Sequence, residues 1–421
     1  MSNILIRMST RVVITGIGVM SPNGENKNEY WKALKEGKSG IGSITLFPAD
    51  SLPCRIAGEV KNVSYECLPA KDRKRVPRLV PLAIQAADEA LRDARIPYST
   101  LTESERQEIG VIIGTGAGGL DFGEREYEKF FKDSGRVSPF AIVSSFVGMV
   151  SSEVSIHFGF RGPSHVISTG CTSSSDAVGY ASSMIRSGMI GHVLVGGAEA
   201  CITPAIISAF VQMGTTTTKW NSQPEKASRP FNSDRDGFVL SEGSWMMVLE
   251  TYESAVRRNA KIYAEVAGYG STCDAYHKVQ IMPGGDESAR ALKIALQSAR
   301  LGTDEVDYIN LHGTATRIND EVETLAIHKV FDGRSLRIPT SSTKSMIGHP
   351  QGACGAAGIV ATCLALEEGI IHPTINIENP DPVCDLDYVP NIFRKVSVQT
   401  AICNCIAFGS KNSAIVLKKV E

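Results

Sequence analysis

Surplus charge is nearly absent from this chain: 43 Lys and Arg face 45 Asp and Glu, for a formal net charge of −2. A nucleic-acid backbone or an anionic membrane surface calls for a strong positive excess, so the overall charge argues against both as partners. Long apolar runs are also missing. No stretch reaches the roughly 18 consecutive apolar residues of a membrane-spanning helix. The opening MSNILIRMST lacks the apolar segment of a secretory leader. Low-complexity segments and linkers are lacking, and so is any ordered cysteine spacing. The ten cysteines are scattered, and the one close pair, Cys403 and Cys405, has no second pair to complete a metal site. The expectation is buried free thiols in a reducing, cytoplasmic compartment, with no metal and no cofactor held by the protein itself.

What is present is an ordinary globular composition over 421 residues, enough to bury a large core without staples. Short apolar runs ending in glycine-rich turns recur: RVVITGIG, GVIIGTGAGG, HVLVGGAEA, VDYINLHGT and SAIVLKKV. Their length and β-branched content predict buried strands. Between them lie helical patterns, such as Leu79, Ala83, Ala86, Ala90 and Ala94. Alternating strands and helices predict an α/β fold with covered sheets. The chain also looks like two similar halves. A strand ending near Ser168 leads through a turn at Cys171 into the small-residue helix DAVGYASSMI. Later, RIPTSST leads through KSMIGHPQG into ACGAAGIVATCLAL. The polar run Thr215 to Ser228 is the candidate for a long surface loop.

Four motifs carry chemistry. In VISTGCTSSSDAVGYA a strand meets Gly170, Cys171 and a helix start, the pattern of a nucleophile elbow with cysteine in place of serine. Thr172 to Ser175 are the expected capping residues. A sulfur at a helix N-terminus is expected to have its pKa lowered from about 8.5. Taken alone, Cys171 fits a structural thiol beside a glycine turn even better. In NLHGTATRINDEVE a buried strand ends at His312, where α/β folds place ligands. Asp320 and Glu323 suit helix-start or structural roles rather than catalysis. SSTKSMIGHPQGACGAAG sets Lys344 and His349 on one glycine-bounded loop. In CIAFGSKNSAIVL a tight turn at Phe408 and Gly409 either aims a backbone N–H into a crevice or is a plain hairpin corner.

Together these motifs resemble the β-ketoacyl-acyl carrier protein synthases, the ketosynthases of the thiolase superfamily. The resemblance runs from VVITGIGVMSPNG to the C-terminal hairpin and includes ASRPFNSDRDGFVLSEG and NPDPVCDLDYVP. It implies a thiolase-like fold of two similar α/β halves in a layered αβαβα arrangement. The expected division is residues 10–265, carrying the nucleophile, and 266–421, carrying two catalytic histidines. It further implies decarboxylative Claisen condensation of malonyl-carrier protein with an enzyme-bound acyl chain. Cys171 would take the acyl group, and the backbone N–H groups of Cys171 and Phe408 would form the oxyanion hole. His312 and His349 would hold the malonyl thioester and its enolate, and Lys344 would order their network. Thr314 and Thr316 would hold the phosphopantetheine arm that carries the substrates, and Phe408 would gate the acyl chain.

The departures from the family are informative. The loop usually glycine-phenylalanine-glycine-glycine is here Ala407, Phe408, Gly409, Ser410. A glutamate that often pairs with the lysine is replaced by Gly358. STGCTS and HGTATRINDEVET look most like the alpha ketosynthases of type II aromatic polyketide synthases. The expectation is therefore a polyketide ketosynthase, with a fatty-acid elongating 3-oxoacyl-acyl carrier protein synthase II as the alternative. A thiolase is disfavoured by the two histidines, and a non-catalytic chain-length subunit by Cys171. The expected partners are an acyl carrier protein and either a second copy or a chain-length-factor-like subunit. The carrier would dock on basic Lys71, Arg73, Lys74, Arg75, Arg78 and Arg136. Subunit pairing would involve the apolar run HVLVGGAEACITPAIISAF.

Overall fold

The computed structural model describes residues 10–132 and 135–420. The reading that MSNILIRMST is no leader falls mostly on residues 1–9, outside the described residues. Ten strands form the central sheet: β1 (Val12–Met20), β2 (Ile109–Gly114), β3 (Ser164–Ile167), β4 (His192–Glu199), β5 (Gly243–Thr251), β6 (Ala264–Cys273), β7 (Tyr308–Asn310), β8 (Thr340–Ser341), β9 (Thr400–Ala407) and β10 (Lys411–Lys418). Their spatial order is 8-7-9-10-6-1-5-4-2-3. Adding five to each label of 3-2-4-5-1 gives 8-7-9-10-6, so the second half repeats the first. The pairing senses repeat as well. β2 is parallel to β3 and β4, with β5 antiparallel to β4 and β1. Likewise β7 is parallel to β8 and β9, with β10 antiparallel to β9 and β6. The halves join through a short antiparallel pairing of Val13 and Ile14 with Glu265 and Ala264. We place the boundary between them at the start of β6, just ahead of the 265/266 division.

The repeat extends to side-chain packing. Helix α1 (Leu79–Asp93) lies on β1, and its alanines face the strand's glycines. A Cβ added at Gly18 would stand 1.9 Å from the Ala86 carbonyl oxygen, and one at Gly16 2.2 Å from that of Ala90. In the second half, with α3 denoting Asp286–Ala299, Cβ atoms at Gly270 and Gly268 would each stand 2.2 Å from α3 carbonyl oxygens. Between the two half-sheets run α2 (Ser173–Arg186) and α5 (Cys354–Glu368), which touch each other and strands of both halves. With α1, α3 and α4 (Arg317–Phe331) outside, this is the layered αβαβα arrangement of a thiolase-like fold.

Two expectations change. Residues 215–228 do form a loop with one short 3-10 turn, but Thr216, Thr217, Ala227 and Ser228 in it are buried. Within the run 192–210, His192–Glu199 is a strand flanked by β2 and β5 and is almost wholly buried, so only the helix that follows, with Pro204, Ala205 and Ala209 exposed, is open to a partner. The free edge of the first half is β3, with Ser164 and His165 exposed. Among the described residues, no helix is long and apolar enough to cross a membrane.

Candidate active site

Four chain segments, each following a strand or closing one, deliver the site. The turn after β3 carries Cys171. Gly170 sits there at φ +72°, the left-handed region that suits glycine, and an added Cβ would meet the Phe408 carbonyl oxygen at 3.3 Å. The serines and threonines at the start of α2 tie this turn rather than cap the helix. Ser173 Oγ accepts from the Thr169 N–H at 2.9 Å, and Thr169 Oγ1 donates to Asp176 at 2.6 Å. Thr172 occupies the N-cap position without a side-chain capping bond.

His312 leaves β7 held by its backbone. Its N–H and that of Gly313 each donate to Glu323 at 2.7 Å, and the Asn404 side chain donates to the same carboxylate. Asp320 accepts from the N–H groups of Phe231 and Thr314. Both carboxylates are therefore clamps for the histidine turn. His349 follows the short helix Lys344–Ile347. Its N–H donates to the Val239 carbonyl at 2.7 Å, and its ring stands edge-on to Phe238.

These segments bring Cys171 Sγ and one ring nitrogen each of His312 and His349 within 4.8 Å of one another. The imidazoles cross nearly at right angles, with centroids 5.3 Å apart. Both Nδ1 atoms are buried without a hydrogen-bond partner. The crevice above them is about 20 Å³, close to the room one water needs. Thr314, Thr316, Asn319, Phe238, Ile281 and Phe408 line it. The Thr314 and Thr316 hydroxyls are bonded to each other at 2.9 Å. Phe408 is half-buried and packs on the apolar cluster of Ile202, Ile207 and Phe238, so it closes the crevice towards that side.

Electrostatics correct one expectation. Burial pushes the Cys171 thiol up to about 12, against the field of Lys344 and a hydrogen bond from the Phe408 N–H. Desolvation therefore outweighs the lysine and the hydrogen bond, and it favours the thiol. Burial also pulls His312 and His349 well below their ordinary value, with the charge of Lys344 adding to it. Both rings rest neutral. Lys344 is buried, which favours the neutral amine, but the surrounding thiols of Cys354 and Cys405 and the Glu323 carboxylate outweigh this and raise it. It makes no ion pair among the described residues. The place left by a glutamate at Gly358 is taken by Asn310: an added Cβ there would stand 2.6 Å from its Oδ1.

The basic residues divide. Lys71, Arg73, Lys74 and Arg136 are exposed, and Arg75 stacks on Phe140. Arg78 is not available to a partner, because its guanidinium is bidentate to the buried Glu242 at 2.8 and 2.7 Å and also donates to the Val60 carbonyl. Other site residues give weak sequence signals. Gln351 lies with its carboxamide oxygen 3.9 Å from Cys171 Sγ. Glu199 accepts from the N–H groups of Gly116, Ala117 and Gly352, joining the halves beside the site. A carboxylate closing the apolar run HVLVGGAE was its only mark. Ser410, at φ +67°, is held by hydrogen bonds with Tyr276 and His277, which anchors the altered Phe408 loop.

Comparisons with known proteins point to one family. Residues 9–255 match the model of the beta-ketoacyl synthase N-terminal domain, and residues 263–378 match that of the C-terminal domain. The chain is 42% identical to a 3-oxoacyl-[acyl-carrier-protein] synthase 2 of Synechocystis, covering 98% of each. It is 40% identical to the ketoacyl synthase alpha subunit of the tetracenomycin polyketide synthase of Streptomyces glaucescens, covering 97% of each. Two solved structures superpose with a TM-score of 0.89 over 98% of this chain and 100% of theirs. One, 33% identical, is a type II polyketide acyl carrier protein in complex with its ketosynthase bound to the hexaketide. The other, 32% identical, is the ishigamide ketosynthase/chain length factor.

Proposed function

The chain belongs to the beta-ketoacyl synthase family, carbon–carbon bond-forming acyltransferases, and we propose that it elongates acyl chains on an acyl carrier protein as a 3-oxoacyl synthase of the fatty-acid type. The observation that carries the chemistry is the convergence of Cys171, His312 and His349 within 4.8 Å from three distant segments.

In this reading the Cys171 thiol attacks the acyl-carrier thioester and the phosphopantetheine thiol departs. The sulfur's proton leaves through a neutral imidazole, which can accept it because burial keeps both rings uncharged. The oxyanion is met by the N–H groups of Cys171 and Phe408. Malonyl-carrier protein then enters past Thr314 and Thr316. Loss of carbon dioxide leaves an enolate whose oxygen accepts from Nε2–H of His312 and His349. The enolate carbon attacks the acyl thioester, the carbon–sulfur bond to Cys171 breaks, and the departing thiolate takes up one proton from solvent to restore the resting thiol. A dry, closed crevice protects the enolate from protonation.

The fatty-acid reading is supported by the higher identity to the Synechocystis enzyme than to the tetracenomycin subunit. The expectation of a polyketide role rests on two local motifs, STGCTS and HGTATRINDEVET. That second reading keeps the support of the 40% identity to the tetracenomycin subunit and of the fold likeness to type II polyketide ketosynthases. We assign subunit pairing to the β3 edge. The helix Met149–Phe158 packs beside it with Ile156 exposed, an apolar position that suits a second copy of this chain. Carrier docking is assigned to Lys71, Arg73, Lys74, Arg75 and Arg136. The free thiols fit a reducing, cytoplasmic setting.

The test is to supply the purified chain with saturated acyl-carrier protein and malonyl-carrier protein. Carrier-bound products are followed by mass spectrometry and subunit mass by light scattering. A homodimer that adds two carbons as a β-ketoacyl group supports the proposal. Elongation only with a second, cysteine-lacking subunit would transfer the assignment to the polyketide reading. Equal use of coenzyme A thioesters would overturn the carrier dependence.

A further inference from the structure

Behind Cys171 lies a second cluster that condensation does not use. Cys354 begins α5 and Cys405 lies on β9, 51 residues apart in the chain, yet their sulfurs are 3.7 Å apart. Both thiols point at one oxygen, the Cys171 carbonyl, at 3.1 Å from Cys354 and 3.7 Å from Cys405. A ring nitrogen of His312 lies within 4.8 Å of both sulfurs. All three side chains are almost fully buried. The Nδ1 atom of His312 is buried without a hydrogen-bond partner.

The sulfur–sulfur and Cys405–oxygen separations match a tetrahedral metal centre, and Cys354 Sγ would move about 0.5 Å away from the oxygen to join it. Bonds of about 2.3 Å to sulfur and about 2.1 Å to oxygen place two sulfurs about 3.8 Å apart and a sulfur and an oxygen about 3.6 Å apart. Two thiolates and an imidazole are a donor set for a soft or borderline divalent cation. The charge count permits it despite nearby Lys344. A divalent cation displaces one proton from each thiol, and the resulting dithiolate complex is neutral. We propose that Cys354, Cys405 and His312, with the Cys171 carbonyl, form a binding site for a thiophilic divalent cation such as Zn²⁺. Occupancy silences condensation by fixing the His312 ring and the Cys171 carbonyl on the metal, which takes both the histidine and the nucleophile turn out of the geometry that the reaction needs. The cluster escaped the reading of cysteine spacing because its ligands come from different strand–helix units of the repeat.

The binding part stands independently of the proposed reaction; the silencing part rests on it. Cobalt(II) serves as the optical probe, since thiolate-to-cobalt charge transfer reports sulfur ligation directly. Reduced, anaerobic wild-type chain is expected to take one equivalent of Co²⁺ with that band, and Zn²⁺ is expected to displace it. The double variant Cys354→Ala/Cys405→Ser is expected to lose the band and still condense without metal, which shows that it folds. Cys171→Ala is expected to keep it. In wild type, one equivalent of Zn²⁺ is expected to lower condensation at least tenfold, and in the double variant not at all. A band lost in Cys171→Ala but kept in the double variant places the metal on Cys171, His312 and His349 and overturns the proposal. Absence of any band in wild type overturns it too. If the band behaves as expected but metal-free wild type makes no β-ketoacyl product, the reaction is misassigned and the metal site stands.

Discussion

Replacing Gly170 by alanine tests whether the Phe408 loop is catalytic machinery. Gly170 has φ +72°, and the new Cβ would lie 3.3 Å from the Phe408 carbonyl oxygen and 3.4 Å from Ala407 Cβ. The left-handed backbone costs an alanine roughly 1–2 kcal/mol. That is a small share of a typical stability of about 5–15 kcal/mol, so the fold should persist. The contacts force the loop outward by a few tenths of an ångström, and the Phe408 N–H, which donates to the Cys171 sulfur, moves with it. Removing an oxyanion donor outright costs about 10²–10³ in rate. A partial displacement should cost about tenfold to hundredfold. Acyl transfer from acyl-carrier protein to Cys171, timed by intact-protein mass spectrometry, should fall by that factor. Malonyl decarboxylation, which depends on His312 and His349, should stay within about threefold of wild type. Transfer at the wild-type rate, or equal loss in both half-reactions, would refute the reasoning.

Cys171→Ala should abolish condensation yet leave malonyl decarboxylation at least partly intact; acyl-enzyme found at another cysteine in wild type, by peptide mapping, would sink the nucleophile assignment. His312→Ala and His349→Ala should each cripple elongation while Cys171 is still acylated, and the double variant should be little worse than either, because both act on one oxygen; a single variant that elongates normally marks that histidine as structural. Because burial holds both imidazoles below the ordinary value, decarboxylation should show no acid limb near pH 6.5. At these two histidines and at His372 the unfolded chain binds more protons there, which lowers stability as pH falls below about 6.5, whereas Glu323, raised by burial to about 7, acts in the opposite sense; the fall in urea midpoint from pH 7 to pH 6 should therefore be larger in Glu323→Gln than in wild type, and an equal change would contradict this. The carrier-protein KM should rise with salt and with charge removal at Lys71, Arg73 and Lys74, as exposed charges are screened over about 10 Å at 0.1 M. Arg78→Ala should instead destabilise the fold, because it strands the buried Glu242.

The sequence made the site's chemistry legible because each reactive residue sits beside a glycine turn at the end of an apolar run. Such a run most often becomes a strand, and in α/β folds the ends of the strands border the crevice. The halves were legible too, though their symmetry is sharper in contacts than in letters. GIG in β1 and GYG in β6 look unrelated until the helix carbonyls at Ala86, Ala90, Ala291 and Ala295 press against them. What stayed hidden depends on which side chains meet across the repeat. Nothing in AKDRKRVPR distinguishes Arg78 from its neighbours, but the fold brings the buried Glu242, 164 residues away, to its guanidinium and takes it out of reach of a partner.

Cys171 makes the same point about electrostatics. A motif can locate a sulfur at a helix start, and a helix start favours a thiolate. The sign of the net shift depends on how much water the surrounding turns exclude, and here the elbow, the Phe408 loop and the His349 loop bury the sulfur almost completely. A thiol at rest and two neutral imidazoles are consistent with one another. A charged histidine beside Lys344 would be costly, and a thiolate with no charged histidine would stand unpaired except for that lysine. The buried site therefore holds its protons until a thioester arrives. The reactive sulfur is then generated during acyl transfer, with an imidazole ready to take the proton, rather than stored as an anion in the empty enzyme.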